Sequence, residues 1–211
     1  MIVAIVNQKG GCGKTTVAVN LALGTAGVKR KTALVDADEQ GTCMKFYKTY
    51  ETEHLHLYPA GNDVRKLVKG LREDFIFIDT PPHAADIMML AMMEADLIII
   101  PTRPRPYDLH ASGNTVKIYR TIQEKLGWAP PAFFLLNQVK EGTLLSKEAP
   151  DFIAENFKLP ILKTVLHDFE VYGQAPLSGQ SVIQYAPKHK ATKELTNLLI
   201  EMGRVYKSVK R

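Results

Sequence analysis

The chain opens with an apolar run that leads directly into a glycine-rich loop. The run is Ile2–Val6, and the segment Lys9–Thr16 follows with three glycines and two lysines. A strand, a glycine-rich turn and a helix form a phosphate-binding loop, because glycines let successive N–H groups point at one anion. The Lys14 ammonium can reach the β- and γ-phosphates, and the Thr15 hydroxyl can bind Mg²⁺. The predicted nucleotide-binding residues are Gly10, Gly11, Cys12, Gly13, Lys14, Thr15 and Thr16.

Apolar runs typical of strands alternate with helix-like stretches along the chain. The predicted strands are Ile2–Asn7, Thr32–Asp36, His54–Tyr58, Phe75–Asp79, Leu97–Pro101, Ala132–Asn137 and Ile161–Val165. The predicted helices are Lys14–Gly27, Gly41–Tyr50, Asn62–Gly70, Ala84–Glu94, Tyr107–Leu126, Ser146–Phe157 and Lys188–Lys207. Short continuous apolar strands indicate burial on both faces, and their alternation with helices predicts parallel βαβ units. The expected fold class is α/β, a single doubly wound and mostly parallel sheet flanked by helices.

The composition excludes several classes of protein. The chain has 211 residues, a net charge of +5 and two cysteines without a Cys-x-x-Cys pair, which argues against a zinc site or a disulfide framework. Cys12 and Cys43 are expected to be reduced thiols of a cytoplasmic protein. No apolar stretch reaches the roughly 18 residues needed to span a bilayer, and no basic segment precedes the first strand. We expect one domain over residues 1–211, with no signal peptide and no helix-turn-helix domain ahead of it.

Acidic residues end two of the predicted strands. Asp36 and Asp38 follow the second apolar run, and Asp79 ends the run that starts at Phe75. In a parallel sheet the carboxyl ends of the strands form the ligand site, so these carboxylates belong beside the triphosphate. There they can bind Mg²⁺ or its waters, or orient the attacking water. The alternative for Asp38 is that it only caps the following helix.

The phosphate loop departs from the standard pattern in an informative way. Gln8 stands where the first glycine belongs, and Lys9 is a second lysine next to the glycine pair. This arrangement resembles the deviant Walker A motif of the ParA/MinD family of dimerising ATPases. The segment from Asp36 to Gln40 is similar to the family's Asp-x-Asp-Pro-Gln, with Glu39 in place of the proline. The run Asp79-Thr80-Pro81-Pro82 closely resembles the family's Asp-x-Pro-Pro.

The resemblance implies ATP and Mg²⁺ as cofactors and assigns roles to individual residues. It implies a slow, Mg²⁺-dependent and partner-stimulated ATPase, in which Asp38 is the hydrolytic aspartate. Lys9 would reach the phosphates of a second subunit across a homodimer that sandwiches ATP, like an arginine finger supplied in trans; alternatively, it contacts only its own nucleotide. The residues expected to act in catalysis are Lys9, Lys14 and Asp38, and those expected to hold the metal are Thr15, Asp36 and Asp79.

Two further residues are candidates for binding the base. The resemblance implies that Asn137, which ends a later strand, recognises adenine through its side-chain amide. Pro176 lies in a segment similar to the C-terminal region of ParA proteins, where it would lie against the base. From composition alone, a turn-forming role for Asn137 is the alternative.

The size of the chain is most similar to the small ParA proteins of plasmid partition, the ParF-like type. That resemblance implies a switch that partitions or positions a cargo, most simply plasmid DNA, by ATP-dependent nonspecific DNA binding on the nucleoid. A ParB-like centromere-binding or adaptor protein would stimulate hydrolysis. The alternatives are McdA-like positioning of a protein cargo and a MinD-like regulator that cycles on a membrane. Iron-protein relatives are disfavoured, because both cysteines lie beside the nucleotide motifs. Synthetase relatives are disfavoured because the sequence shows no substrate pocket.

The surface that would meet DNA is less well specified by the sequence. Asp168 and Glu170 stand where many ParA proteins carry arginines, and they would repel DNA. Arg103 and Arg105 could touch a partner subunit, the nucleotide or DNA. The apolar stripe of the last helix favours docking on the protein's own core over a membrane. The candidate phosphate-binding residues are Lys163, Lys188, Lys190, Lys193, Lys207, Lys210 and Arg211.

Overall fold

The structure is a computed structural model that describes residues 1–47 and 52–209. Its strands are β1 Ile2–Ile5, β2 Thr32–Asp36, β3 Leu55–Pro59, β4 Phe75–Asp79, β5 Leu97–Thr102 and β6 Ala132–Leu136. Its helices are α1 Lys14–Gly27, α2 Thr42–Tyr47, α3 Val64–Gly70, α4 Ala85–Glu94, α5 Pro106–Leu126, α6 Leu144–Phe157, α7 Val171–Gln174, α8 Val182–Tyr185 and α9 Lys190–Val209. Short 3-10 turns cover Gly61–Asp63 and Ala175–Ser178. The predicted end of the second helix, residues 48–50, lies outside the described residues.

The six strands form one parallel sheet in the order β3-β2-β4-β1-β5-β6. The chain winds outward from β1 to β3, returns to β4 beside β1, and then continues on the other side through β5 and β6. This is a doubly wound sheet, and the predicted α/β fold class is confirmed. The register places Asp36 of β2 directly opposite Asp79 of β4. Both acids therefore lie at the carboxyl edge of the sheet, where ligands of such folds bind.

Successive residues of β1, β2, β4, β5 and β6 pack on opposite faces of the sheet, whereas in the edge strand β3 the residues His56 and Pro59 are exposed. In β1, Val3 and Ile5 belong to the core cluster that also contains residues of α1 and α9, whereas Ala4 belongs to the cluster formed with α3, α4, α5 and α6. Two-sided burial explains why the strands are continuous apolar runs. The last helix buries Leu195, Leu198 and Met202 in the first of these cores, as its apolar stripe predicts.

The predicted seventh strand over Ile161–Val165 is wrong. This segment runs beside β6 and makes one isolated parallel bridge, between Ile161 and Phe134, but it forms no regular strand. The backbone N–H groups of Lys163 and Thr164 both donate to the Glu201 carboxylate, at 2.6 and 2.8 Å. Successive N–H groups of a regular strand point in opposite directions, so two donations to one carboxylate require an irregular backbone. The segment thus covers the β6 edge without extending the sheet.

Candidate nucleotide-binding site

The phosphate loop joins β1 to α1 and places the helix N-terminus at the carboxyl edge of the sheet. Gly11 and Gly13 have φ values of +73° and +90°, in the region that favours glycine. Gly13 directly precedes α1, and a Cβ atom there would collide with the side-chain nitrogen of Asn137. The glycine at this position is therefore required by both conformation and space. The arrangement leaves the free N–H groups of the first turn of α1 at the loop, as anion binding requires.

A pocket of about 290 Å³ opens over the loop and brings together four segments that are far apart in sequence. Its lining consists of Gly10, Gly11, Gly13, Lys14, Thr15, Thr16, Asp38, Thr80, Pro82 and Gln138. Six of the seven predicted loop residues line it. The exception is Cys12, whose side chain is fully buried and whose thiol lies 3.2 Å from the Lys9 carbonyl oxygen. Thr80, Pro82 and Gln138 were not predicted as site residues, although Thr80 and Pro82 lie in the run that starts at Asp79 and Gln138 directly follows Asn137.

The two lysines of the loop differ in their surroundings. The Lys14 side chain is buried, and its ammonium donates to the Lys9 carbonyl oxygen at 3.1 Å. The Lys9 ammonium makes no hydrogen bond or ion pair within residues 1–47 and 52–209. Lys14 is thus held over its own loop, while the charge of Lys9 is left available for a ligand or a second molecule.

Buried carboxylates stand beside the Thr15 hydroxyl. This hydroxyl donates to Oδ2 of Asp79 at 2.7 Å, and Asp36 accepts the backbone N–H of Asp38 at 3.2 Å. The other Asp79 oxygen, Oδ1, is buried and has no hydrogen-bond partner in the part of the chain that the structure describes. Hydroxyl and carboxylate oxygens are the donors that Mg²⁺ prefers. A cation or its water would satisfy the unpartnered oxygen, so the residues present fit the predicted Mg²⁺ site.

Sequence reasoning missed the neighbourhood of Cys43. Its sulfur lies 3.4 Å from Oδ2 of Asp79, and ligand atoms of Asp36, Cys43 and Asp79 lie within 4.8 Å of one another. No sequence signal indicates this contact, because Cys43 is on α2 and reaches the site only through the packing of that helix. Burial raises the pKa of the Cys43 thiol well above its usual value, and burial also raises that of Cys12. Both are neutral thiols, which makes them poor nucleophiles.

The electrostatics of the acidic pair follow from its burial. The pKa of Asp79 is raised to about 7, chiefly by burial; the Thr15 hydrogen bond opposes the shift, and the neighbouring Asp36 carboxylate adds to it. Burial also raises the pKa of Asp36, although backbone N–H groups that donate to it act in the opposite direction. Two desolvated carboxylates in one site repel each other, so a divalent cation would stabilise their ionised forms.

Asp38 lies two residues beyond the end of β2 and lines the pocket. Its carboxylate accepts the backbone N–H of Gln40 at 2.9 Å, and its carbonyl accepts that of Gly41 at the same distance. Helix α2 begins only at Thr42, so the Asp38 side chain closes the turn before the helix. This local bond accounts for one carboxylate oxygen, while the residue lines the pocket beside Lys14 and Thr15.

The structure brings one of the two predicted base-binding residues to the loop. Asn137 is almost fully buried, and its side-chain nitrogen donates to the Cys12 carbonyl oxygen at 2.8 Å. Gln138 adopts a φ of +52° and donates to the Gly11 carbonyl oxygen at 3.2 Å. Pro176 belongs to a 3-10 turn and is not among the residues that line the pocket.

Arg103 lies beside the loop, whereas Arg105 is exposed. The Arg103 guanidinium donates to the buried carboxylate of Asp108 at 2.8 Å. One of its terminal nitrogens lies 4.0 Å from the position that a Cβ atom on Gly11 would occupy. Of the two arginines, Arg103 is therefore the one that lies beside the nucleotide site.

Comparison with known proteins identifies the family. The chain is 31% identical over 207 residues to "Maintenance of carboxysome distribution protein A" of Halothiobacillus neapolitanus, with 94% of each chain covered. It is 25% identical over 247 residues to "Sporulation initiation inhibitor protein Soj" of Bacillus subtilis, covering 96% of this chain and 98% of that protein. The solved structure of the septum site-determining protein MinD with Mg-ADP from Pyrococcus horikoshii OT3 superposes with a TM-score of 0.74 at 22% identity, covering 97% and 96% of the two chains.

The family profile described as "CobQ/CobB/MinD/ParA nucleotide binding domain" matches residues 3–182. This range contains the phosphate loop, both acidic motifs and Asn137. The match agrees with the sheet topology and with a site fitted to ATP and Mg²⁺, the cofactors of this family. The chain therefore belongs to the ParA/MinD family of P-loop ATPases.

Proposed function

We propose that this protein is an ATP-hydrolysing switch that dimerises around ATP and positions a cargo in the cell. The observation that carries the proposal is the convergence of the phosphate loop, Thr15 and Asp38 on one pocket, beside a Lys9 ammonium that has no partner among the described residues. A nucleotide site alone would need only Lys14. An additional lysine without a partner in the described residues is suited to phosphates that a second subunit presents.

The residues of the pocket and the buried acids beside it have different roles in hydrolysis. Loop N–H groups and the Lys14 ammonium bind the phosphates, which places the γ-phosphate near Asp38. Thr15, Asp36 and Asp79 would hold Mg²⁺, which neutralises phosphate charge when it is bound. The Asp38 carboxylate orients the attacking water and accepts its proton. Thr80 fixes the chain after β4, because its hydroxyl donates to the Ile5 carbonyl oxygen at 2.9 Å.

Dimerisation brings a second positive charge, the Lys9 ammonium of the other subunit, to the phosphates. Lys9 of each subunit would contact the phosphates bound to the other, so that ATP, and not ADP, stabilises the pair. Hydrolysis removes the γ-phosphate and weakens these contacts, which dissolves the dimer. Asn137 and Pro176 are proposed to contact adenine; for Asn137 this requires exchange of the bond to the Cys12 carbonyl for bonds to the base.

The cargo is proposed from the relatives. A second "Maintenance of carboxysome distribution protein A", from Gloeobacter kilaueensis, is 31% identical over 193 residues, covering 89% of this chain and 86% of that one. These relatives favour a protein cargo over the plasmid DNA expected from the ParF-like resemblance. An adaptor protein carried by that cargo would stimulate hydrolysis, in the role that a ParB-like protein has in partition.

The proposed matrix is nonspecific DNA of the nucleoid in the cytoplasm. Lys163, Lys188, Lys190, Lys193 and Lys207 are all exposed, as phosphate contacts require. The acids Asp168 and Glu170 are exposed too, so DNA would contact lysines away from them. Lys210 and Arg211 lie outside the described residues. No helix within residues 1–47 and 52–209 is long and apolar enough to cross a membrane.

Binding to duplex DNA with ATP, ADP or no nucleotide tests the proposal, together with light scattering to follow the dimer. Asp38→Ala is expected to keep ATP-dependent dimerisation and DNA binding while losing hydrolysis. Lys9→Ala is expected to lose all three. Lys125→Ala, which removes an exposed lysine at the far end of α5, serves as the matched control. Dimers that form equally well with ADP, or in the Lys9→Ala variant, would refute the switch.

A further inference from the structure

A polar stripe runs along the buried face of α5. Asp108, Ser112 and Thr115 are spaced four and three residues apart, so they lie on one side of the helix. Each is at most 3% exposed, although the other buried residues of α5 include Leu109 and Val116. Buried polar side chains are costly unless they are hydrogen-bonded. The partners of this stripe therefore indicate why polar residues occupy it.

The Asp108 carboxylate pairs with Arg103, whereas Ser112 and Thr115 bond the residues that join β1 to the phosphate loop. The Thr115 hydroxyl accepts the backbone N–H of Gln8 at 2.9 Å and lies 3.3 Å from the side-chain oxygen of Asn7. The Asn7 nitrogen donates to the Ser112 hydroxyl at 3.0 Å and to the Pro101 carbonyl at 2.8 Å. Ser112 and Thr115 thus bond both a backbone group of this turn, the Gln8 N–H, and a side chain, that of Asn7.

The network ends at the backbone of Lys9. The Asn7 side-chain oxygen accepts the Lys9 N–H at 2.9 Å. Asn7 is fully buried, and all of its donor and acceptor sites for hydrogen bonds are engaged, so its amide orientation is fixed. The Ser112 hydroxyl, in turn, donates to the Asp108 carbonyl at 2.9 Å. The direction in which the Lys9 side chain leaves the turn is therefore set by α5 through Asn7.

The backbone of Lys14 lies outside this network, and only its ammonium meets the network, by donating to the Lys9 carbonyl oxygen at 3.1 Å. The Lys14 backbone begins α1, and the N–H of Val17 donates to the Gly13 carbonyl at 2.9 Å, so this helical turn is fixed without the stripe. The outer side of α5 begins with Tyr107, which is 88% exposed beside the buried Asp108. Helix α5 thus connects an exposed aromatic residue with the backbone of Lys9, whose ammonium has no partner in the described part of the chain.

We propose that Ser112 and Thr115 are positioning residues that orient Lys9 toward a second subunit. The inference rests on the proposed function, in which Lys9 acts across the dimer. A stripe that merely supported the fold or the loop as a whole would affect Lys14 and Lys9 alike. A positioning role predicts that dimerisation is impaired while nucleotide binding by the single subunit is kept.

The experiment compares variants that lose the hydroxyl of Thr115 or Ser112 with one that keeps it. Thr115→Val keeps the shape of the side chain and removes the bond to Gln8, while Thr115→Ser keeps the bond and removes a methyl group. Ser112→Ala removes the acceptor for Asn7. Thr121→Val is the control, because the Thr121 hydroxyl is exposed on the same helix and bonds only the Lys117 carbonyl.

Each variant is assayed for ADP binding by the monomer and for dimerisation with a non-hydrolysable ATP analogue. Thr115→Val and Ser112→Ala are expected to weaken dimerisation about tenfold, the effect of losing a buried hydrogen bond, and to change ADP affinity less than about twofold. Thr115→Ser and Thr121→Val should match the wild type in both assays. An equal loss of ADP affinity and dimerisation in Thr115→Val would overturn the proposal.

Amide hydrogen exchange at Gln8 and Lys9 tests the positioning without any dimer. Thr115→Val is expected to speed exchange at both amides about tenfold, and Thr115→Ser to restore protection. Unchanged exchange at Lys9 in Thr115→Val would overturn the proposal even if the variant dimerised poorly. A wild-type chain that bound ADP but did not dimerise with the ATP analogue would instead overturn the proposed function, and with it the assignment of Lys9 to a second subunit.

Discussion

The hydroxyl of Thr15 and the carboxylate of Asp79 are joined by a 2.7 Å hydrogen bond that connects the phosphate loop to the end of β4. The bond uses one carboxylate oxygen and leaves the other buried without a partner in the described residues. The site is thus assembled with its carboxylates in place and with an acid whose ionisation is unfavourable. This relationship has a measurable effect on stability.

Asp79→Asn is expected to stabilise the metal-free protein. Because the folded-state pKa of Asp79 is about 7 against an ordinary 3.8, ionisation costs folding free energy that grows between these pH values and is constant above them. The amide carries no such cost. We expect a gain of about 4 kcal/mol, or roughly 10 °C in Tm, at pH 8, falling to about zero near pH 4. Thermal unfolding in a chelator measures it.

With magnesium and nucleotide bound, the wild type should become more stable than Asp79→Asn. With excess Mg-ADP, the wild type gains stability from ligand binding, whereas Asp79→Asn gains much less because it lacks the carboxylate. A variant that is stabilised by Mg-ADP as strongly as the wild type would show that Asp79 does not hold the metal. No gain in Tm at pH 8 in the chelator would show that its burial is not costly.

Gly13→Ala is expected to abolish nucleotide binding without unfolding the chain. The position has a φ of +90°, and a Cβ atom there would collide with Asn137, so the loop must change shape. A left-handed conformation costs an alanine about 1–2 kcal/mol even without the collision. Gly27→Ala is the matched control, since a Cβ at that end of α1 meets nothing within 4 Å. Titration with ADP and circular dichroism separate binding from folding; normal ADP affinity in Gly13→Ala would contradict the loop geometry.

Asp108→Ala is expected to lower the free energy of unfolding by about 2–4 kcal/mol, because it leaves the guanidinium of Arg103 without its buried partner. Urea denaturation measures the loss. Asp86→Ala, at an exposed position in the first turn of α4, should change stability by less than about 0.5 kcal/mol. Equal stabilities of the two variants would mean that the Arg103–Asp108 pair contributes nothing to the fold.

Glu201→Ala should weaken the cover of the sheet edge. The Glu201 carboxylate accepts the N–H groups of both Lys163 and Thr164, and its loss leaves them to water. We expect a loss of about 1–2 kcal/mol in urea denaturation and faster exchange of both amides. Glu155→Ala, an exposed acid on α6, is the comparison. Unchanged amide protection would mean that other groups hold this segment.

The sequence by itself determined the features that reside in short contiguous segments. The apolar runs predicted all six strands to within about two residues at each end, because burial on both faces leaves a local signature. The loop from Lys9 to Thr16, Asp36 and Asp79 were placed correctly at the strand ends, since parallel strands must bring those ends to one edge. The family followed from the same motifs.

Only the tertiary structure decided which distant residues meet. The contact of Cys43 with Asp79 depends on how α2 packs, and the bonds from Ser112 and Thr115 to the phosphate-loop turn depend on the rotation of α5. The segment from Ile161 resembles a strand by its residues, but a carboxylate on α9 holds it out of the sheet. These outcomes depend on hydrogen bonds between segments far apart in the chain, and the periodicity of one segment carries no information about its partner.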